Sequence, residues 1–321
     1  MAATLSRRLF VGSAAGAAFL ASTPSGGQEI RGASGAASPP AVHLDRLTSR
    51  EVEERLKTTD VVFVPHGPIS GHGPWTSLGV HAHGAEALAV LLARKCGGLV
   101  YPTIYTAFAG ATHLYPGTVP FSYEFHAEVL KAVARSLYGQ GFGRIFLVAY
   151  TNPEDSAGLV AARDLFDLEG ELPVAALVAT KGMSSEPVRA LLADYPGSAG
   201  EAIIDYAAVR LLGHERAIAE PDLARVGLKS GEDQNPEIRE AIRILRSRGT
   251  RGFRYDSERE HSSHGTVGLT WRGQPDLELG LRILEALAEY HLPAVEALKA
   301  HRDYLRAHPA KPIHKQVPLD K

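Results

Sequence analysis

The amino-acid sequence predicts an α/β domain with a mostly parallel central sheet and helices on both faces of that sheet. Short apolar runs alternate along the chain with longer segments of helical periodicity, the arrangement expected of strands joined by helices. The apolar runs contain no regular polar positions, which is typical of strands buried on both faces. With 45% hydrophobic residues among 321, the chain is long and apolar enough to bury its own core.

The first half of the predicted fold spans two strands and two helices. Residues 61–65 form a short, wholly apolar strand, and good helix formers follow at helical spacing over 84–95. A second strand over 99–101 stops at Pro102, because proline cannot donate to a sheet ladder. The next helix covers 123–138 and ends before a glycine, a common helix stop.

The second half continues the same alternation. Residues 145–150 form the third strand, and 174–179 form the fourth. The helix between them covers 157–168, and Asp155 is interpreted as its N-cap, since a carboxylate there accepts from the first free N–H groups. The remaining segments with helical spacing are 201–213, 236–247, 276–290 and 292–306.

Composition divides the chain into residues 1–40, 41–306 and 307–321. Arg7 and Arg8 precede a short, weakly apolar stretch, a pattern typical of a twin-arginine export signal, and a linker rich in Gly, Ala, Ser and Pro follows. The stretch is shorter than the roughly 20 apolar residues of a membrane span. We therefore expect a periplasmic or extracellular protein with no membrane span, whose domain covers 41–306 and whose tail covers 307–321.

Charge and cysteine content exclude several classes of function. A net charge of −2 gives no electrostatic reason to expect a nucleic-acid partner. Cys96 is the one cysteine of the sequence, so an internal disulfide and a multi-cysteine zinc or iron–sulfur site are excluded.

Histidines are concentrated after the first predicted strand. His66, His72, His81 and His83 fall within 18 residues. The whole chain of 321 residues has 14 histidines, so an even distribution would place fewer than one in a segment of this length. Ligands bind beyond the carboxyl ends of strands in open α/β sheets, and imidazole is the commonest metal-binding side chain. The segment predicts a metal site if its glycines let the rings converge, or else a polar surface loop.

The loops after the second and third predicted strands hold further candidate site residues. His113 precedes a Tyr-Pro-Gly-Thr turn, where it could be a metal ligand, a proton carrier or a group that stabilises the turn. Tyr150, Asn152 and Glu154 follow the third strand as a polar cluster. We expect Tyr150 and Asn152 to contact a substrate and Glu154 to handle a proton.

Ordered motifs over roughly residues 60–290 resemble the creatininase (creatinine amidohydrolase) family. The first motif of that family, P-x-G-x-x-E-x-H-G-P-H-L-P-L-x-x-D, matches Pro65, Gly67, His72, Gly73, Pro74 and Leu78. Its second motif ends in Pro-Gly-Thr, as residues 116–118 do, and its G-F-x-R-I motif matches 141–145. A later glycine-containing segment is similar to 265–268. The resemblance implies the α/β fold predicted above.

The metal-ligand positions depart from that family, which builds a two-metal site. His72 keeps a ligand histidine, whereas Ser70 stands in place of a ligand glutamate and His81 in place of the bridging aspartate. Thr151 stands at a second ligand histidine. Residues 198–205 lack the family's histidine and ligand glutamate, although Glu201 and Asp205 lie nearby.

The resemblance implies a hydrolase, or a lyase-type enzyme, that opens a small cyclic amide, lactone or related ring. In one version His72, His81 and His83, or His66, hold a zinc-like or iron-like ion whose bound water attacks the substrate. In a metal-free version His72 is the base and His113 the acid. Trp75 would line the substrate pocket, and the family commonly forms hexamers. The alternative is a non-catalytic protein that binds a small molecule or a partner subunit.

Overall fold

A parallel sheet lies at the centre of the fold, as the apolar runs predict. The computed structural model of the chain describes residues 42–72, 76–109, 112, 115–151, 154–169, 172–193, 200–214, 236–249 and 276–309. Within these residues the strands are β1 (Val61–His66), β2 (Leu99–Val100), β3 (Arg144–Ala149) and β4 (Val174–Val178). They form a parallel sheet in the order β2-β1-β3-β4, with β1 and β3 paired along their whole length. The predicted α/β class is confirmed.

Alternate residues of the central strands bury two separate cores. Val61 and Phe63 of β1 belong to one core, which also contains apolar residues of 85–93, 203–208 and 279–295. Val62 and Val64 belong to the other, with residues of the helices that follow β2 and β3. Every residue of β1 is buried, so neither face shows polar alternation. Helices cover both faces of the sheet for this reason.

The helices begin and end close to the predicted positions in most cases. In chain order they are α1 (Ser49–Leu56), α2 (Val80–Cys96), α3 (Tyr123–Gly139), α4 (Glu154–Glu169), α5 (Glu186–Leu192), α6 (Gly200–Leu211), α7 (Pro236–Ser247) and α8 (Leu277–Ala307). Short 3₁₀ helices cover Leu44–Arg46 and Ala179–Ser184. Helices α1 and α5 were not predicted. No described helix combines the length and apolar character needed to cross a membrane.

Helix α2 begins four residues earlier than predicted, and this changes the location of two histidines. Its first residue is Val80, so His81 and His83 lie in the first helical turn rather than in a flexible loop. The turn packs tightly on the loop after β1: a Cβ at Gly67 would lie 2.7 Å from the backbone nitrogen of Ala82. Glycine at position 67 permits this close approach.

Two further predictions of local structure were wrong. Helix α4 begins at Glu154, so Asp155 lies inside the helix and is not its N-cap. The segments 276–290 and 292–306 form one helix that continues through Pro293. Both halves of α8 bury apolar side chains, Ile283 before the proline and Val295 after it, and this shared packing offsets the missing hydrogen bond.

The predicted export signal and linker over 1–40 and the tail beyond 309 lie outside the described residues. The division of the chain into 1–40, 41–306 and 307–321 therefore stays a prediction. The glycine-containing segment 265–268 also lies outside them.

Candidate active site

His72 and His81 form a buried imidazole pair beyond the carboxyl end of β1. Their ring centroids are 4.2 Å apart with an interplanar angle of 48°. Their relative exposures are 8% and 4%, so the pair is largely removed from solvent. Nε2 of His72 lies 3.1 Å from Oγ of Ser70. The predicted base is thus placed against a hydroxyl and a second imidazole, at the sheet edge where α/β proteins bind ligands.

Hydrogen bonds from two segments hold the loop that carries His72. The N–H of Gly71 donates to Oγ1 of Thr118 at 2.9 Å, and the N–H of Ser70 donates to the carbonyl of Leu78 at 2.8 Å. A Cβ at Gly71 would lie 2.8 Å from Cβ of Tyr115. The Pro-Gly-Thr turn recognised in the sequence therefore packs against the His72 loop and fixes its course.

Burial keeps the imidazole of His72 neutral. Desolvation lowers the pKa of His72 well below its ordinary value, and the neighbouring His81 lowers it further. A proton on His72 would place a charge in an apolar environment beside a second basic ring. At neutral pH the ring therefore has a lone pair available, as a general base requires.

The ring of Tyr150 packs against His81 of the same pair. Its ring centroid is 5.5 Å from that of His81, and the residue is 1% exposed. The ring lies against Gly84 of α2, where an added Cβ would be 2.5 Å from Cδ2 of Tyr150. The structure therefore places Tyr150, which was predicted to contact a substrate, against His81 of the His72 and His81 pair.

His83 faces a different group of residues from His81. Residues two apart on a helix do not face each other, so His81 and His83 diverge from the first turn of α2. Nδ1 of His83 lies 3.1 Å from Oγ of Ser77 and 3.5 Å from Oδ1 of Asp205. Ser77 also donates to Asp205 through its hydroxyl and its backbone N–H, both at 2.7 Å. The structure does not bring the predicted ligands His72, His81 and His83 together as one set.

A second buried imidazole pair consists of His66 and His126. Both residues are 0% exposed, and their ring centroids are 4.9 Å apart in an edge-on arrangement. No described residue hydrogen-bonds any of their four ring nitrogens. Desolvation lowers the pKa of His66 well below its ordinary value and that of His126 to about 4. Sequence reasoning missed His126, although its spacing of four from the apolar Leu130 places it on the buried face of α3.

The other predicted site residues lie outside the described part of the structure. Trp75, His113 and Asn152 are not among the described residues. Glu154 begins α4, but its side chain is not among those described. Their predicted roles in proton transfer and substrate contact stay predictions.

Comparison with known proteins finds a family match over part of the chain. Residues 45–174 match the model of the creatininase family, described as creatinine amidohydrolase. These residues contain α1 to α4, β1 to β3 and both imidazole pairs. The resemblance to this family seen in the sequence motifs is confirmed over residues 45–174.

A curated relative and two solved structures are similar to the chain over different spans. The 3-dehydro-scyllo-inosose hydrolase of Thermotoga maritima is 29% identical over 111 residues, which cover 34% of this chain and 36% of the relative. The chain thus matches about a third of that protein's length. A mutant creatininase complexed with creatine is 18% identical with a TM-score of 0.58, covering 82% of this chain and 99% of that one. A putative creatinine amidohydrolase from Bacteroides fragilis is 16% identical with a TM-score of 0.57, covering 80% and 96%. At these identities the solved structures show the fold alone.

The metal chemistry of related structures can be compared with the donor groups present here. Two further matched structures, each with a TM-score of 0.54, are a manganese creatininase and a mutant creatininase of Zn–Zn type. Among the described contacts, a serine hydroxyl lies against His72 and a tyrosine ring lies against His81. Among the described residues, no group of three His, Cys, Asp or Glu side chains is arranged to hold an ion. These residues do not fit a carboxylate-bridged two-metal centre, since hard divalent ions prefer oxygen ligands.

Proposed function

We propose that the chain is a hydrolase that opens a small cyclic amide, lactone or related ring, with His72 as its general base. The observation that carries this proposal is the neutral, buried imidazole of His72 in contact with His81, at the ligand-binding edge of the sheet. The match to the creatininase family model over 45–174 and the similarity to an inosose hydrolase support a reaction on a small ring.

The proposed reaction needs a nitrogen of His72 that can accept a proton. In the tautomer of His72 whose Nε2–H donates to Oγ of Ser70, the lone pair lies on Nδ1. Nδ1 is buried and no described residue hydrogen-bonds it, so the reacting water must enter with the substrate to reach it. Nδ1 accepts a proton from water as its oxygen forms a bond to the substrate carbonyl carbon. When the ring C–N or C–O bond breaks, the leaving atom takes a proton from His113 or Glu154 in their predicted roles.

A divalent transition metal, zinc-like or iron-like, belongs to a second form of the proposal. The described donor groups do not fit the two-metal centre of the family, so no step above depends on an ion. Elemental analysis of the purified protein tests this form separately. One equivalent of metal that is lost together with activity in His81→Ala would assign the ion to the His72 and His81 pair.

Oligomerisation and export are proposed from the sequence resemblance and the twin-arginine pattern. We expect a homo-oligomer, hexameric as is common in the family, and light scattering that gives a monomer would refute it. We expect export to depend on the paired arginines. Replacement of both Arg7 and Arg8 by lysine should keep the protein in the cytoplasm of a bacterial host.

A substrate screen distinguishes the hydrolase from a non-catalytic binding protein. The purified chain is assayed for ring opening of cyclic amides, lactones and cyclic polyol ketones, in parallel with His72→Gln and an exposed control, His308→Gln. We expect turnover of at least one class by the wild type and by the control, but not by His72→Gln. Binding of a screened compound without turnover in the wild type would favour the binding protein. If His72→Gln leaves both turnover and binding unchanged, the site assignment is wrong.

A further inference from the structure

The contacts of Ser77 fix which nitrogen of His83 carries a proton. The Ser77 hydroxyl has one hydrogen, and it donates that hydrogen to Oδ1 of Asp205 at 2.7 Å. The 3.1 Å hydrogen bond between Oγ of Ser77 and Nδ1 of His83 must then be donated by Nδ1. In the neutral ring of His83 the lone pair therefore lies on Nε2, which no described residue hydrogen-bonds.

Asp205 stabilises this arrangement. Its side chain is fully buried, and it accepts from the backbone N–H of Ser77 as well as from the hydroxyl. Oδ1 of Asp205 is 3.5 Å from Nδ1 of His83, so the carboxylate also favours the N–H at that nitrogen. A histidine whose N–H is oriented by a carboxylate, with its other nitrogen open, has the support that metal-binding histidines have in proteins.

A second imidazole, that of His214, lies beside the ring of His83. His214 follows α6 and is exposed, and its ring centroid is 5.9 Å from that of His83. A nitrogen about 2.0–2.1 Å from zinc places its ring centroid about 3.2 Å from the ion, so two rings on a tetrahedral ion have centroids about 5.2 Å apart. Rotation of the exposed His214 side chain can close this difference without moving the backbone.

We propose that His83 and His214 bind a first-row transition-metal ion such as Zn²⁺, with Nε2 of His83 as a ligand and with Ser77 and Asp205 orienting that ring. The side chain of His83 is 18% exposed and His214 is exposed, so the ion has an entry path and water completes its coordination. Imidazole ligands suit zinc, copper and nickel better than magnesium or calcium. His83 contacts Ser77, Asp205 and His214 here, and the site does not depend on the proposed hydrolase activity.

Zinc titration of the full chain tests the proposal. The protein is stripped with a chelator, and Zn²⁺ affinity is measured by competition with a chromophoric chelator. We expect one equivalent whose affinity falls by at least about 10-fold in His214→Gln and in His83→Gln, and by about 10–100-fold in Ser77→Ala. Because His214 is exposed, its replacement leaves folding intact. His72→Gln and the exposed control His301→Gln should still bind this equivalent.

Nitrogen NMR of the metal-free protein measures independently which ring nitrogen of His83 carries the proton. A merely structural role for this ring would not predict the result. We expect the His83 ring to be protonated at Nδ1 and unprotonated at Nε2, and Asp205→Asn to shift it toward the Nε2–H form. The proposal is overturned if the chain binds no zinc, if Nε2 of His83 is protonated in the neutral ring, or if His72→Gln abolishes zinc binding that His214→Gln retains.

Discussion

Acidification should destabilise the folded protein through the buried pair of His66 and His126. Desolvation lowers the pKa of His126 from 6.5 to about 4, whereas an imidazole in an unfolded chain titrates near 6.5. As the pH falls below that value, the unfolded state binds a proton that the folded state does not bind. Stability is therefore complete above about pH 6.5 and is lost progressively as the pH falls toward 4.

The expected loss follows from these two pKa values. Linkage gives about 2 kcal/mol between pH 7 and pH 5 from His126 alone, and about 3 kcal/mol by pH 4. The total stability of a typical domain is about 5–15 kcal/mol, so the loss is a substantial fraction. Burial and the neighbouring His126 lower the pKa of His66 as well, so His66 acts in the same direction.

Urea unfolding followed by circular dichroism measures this effect at pH 7, 6 and 5. In His126→Leu the loss of unfolding free energy between pH 7 and pH 5 should be smaller by about 2 kcal/mol, because leucine cannot take up a proton. The matched control is His301→Gln on α8, whose side chain is already exposed in the folded state. A pH dependence in His126→Leu equal to that of the wild type would refute the reasoning.

Two substitutions in the scaffold of the site have expected effects on stability. Gly67→Ala should lower the unfolding free energy by about 1–3 kcal/mol, because the new Cβ meets the Ala82 backbone at 2.7 Å. The control Gly139→Ala should not lower it, because a Cβ there has no atom within 4 Å. Equal melting temperatures for the two variants would contradict the packing of Gly67. Leu147→Ala should cost about 2–5 kcal/mol, since Leu147 is 0% exposed in the centre of β3. A loss below about 1 kcal/mol in urea unfolding would contradict the burial of this strand.

The fold could be predicted because its strands carry an unambiguous signal. Val61 to Val64 and Ile145 to Val148 are apolar at every position, and a strand covered by helices on both faces requires such a run. Helix boundaries were less predictable. The helical start at Val80 depends on the packing of Gly67 against Ala82, a contact between segments that spacing along the chain does not contain.

The site could be predicted only in part. The sequence predicts His72 and His81 in one site, and they lie together. It also predicts His83 in that set, because a glycine-rich loop would let all three rings converge. Once that segment is a helix, residues two apart diverge, and His83 meets Asp205 from a helix more than a hundred residues later. The burial of His126 depends likewise on the packing of α3 beside β1.

The most direct test of the central claim is the kcat/KM of ring opening for His72→Gln, with the substrate that the screen identifies. Positioned general bases contribute about 10²–10⁴-fold, so we expect a loss of at least about 100-fold at pH 7.5, with circular dichroism unchanged and with His308→Gln fully active. A kcat/KM for His72→Gln within about twofold of the wild type would contradict the assignment of His72 as the base.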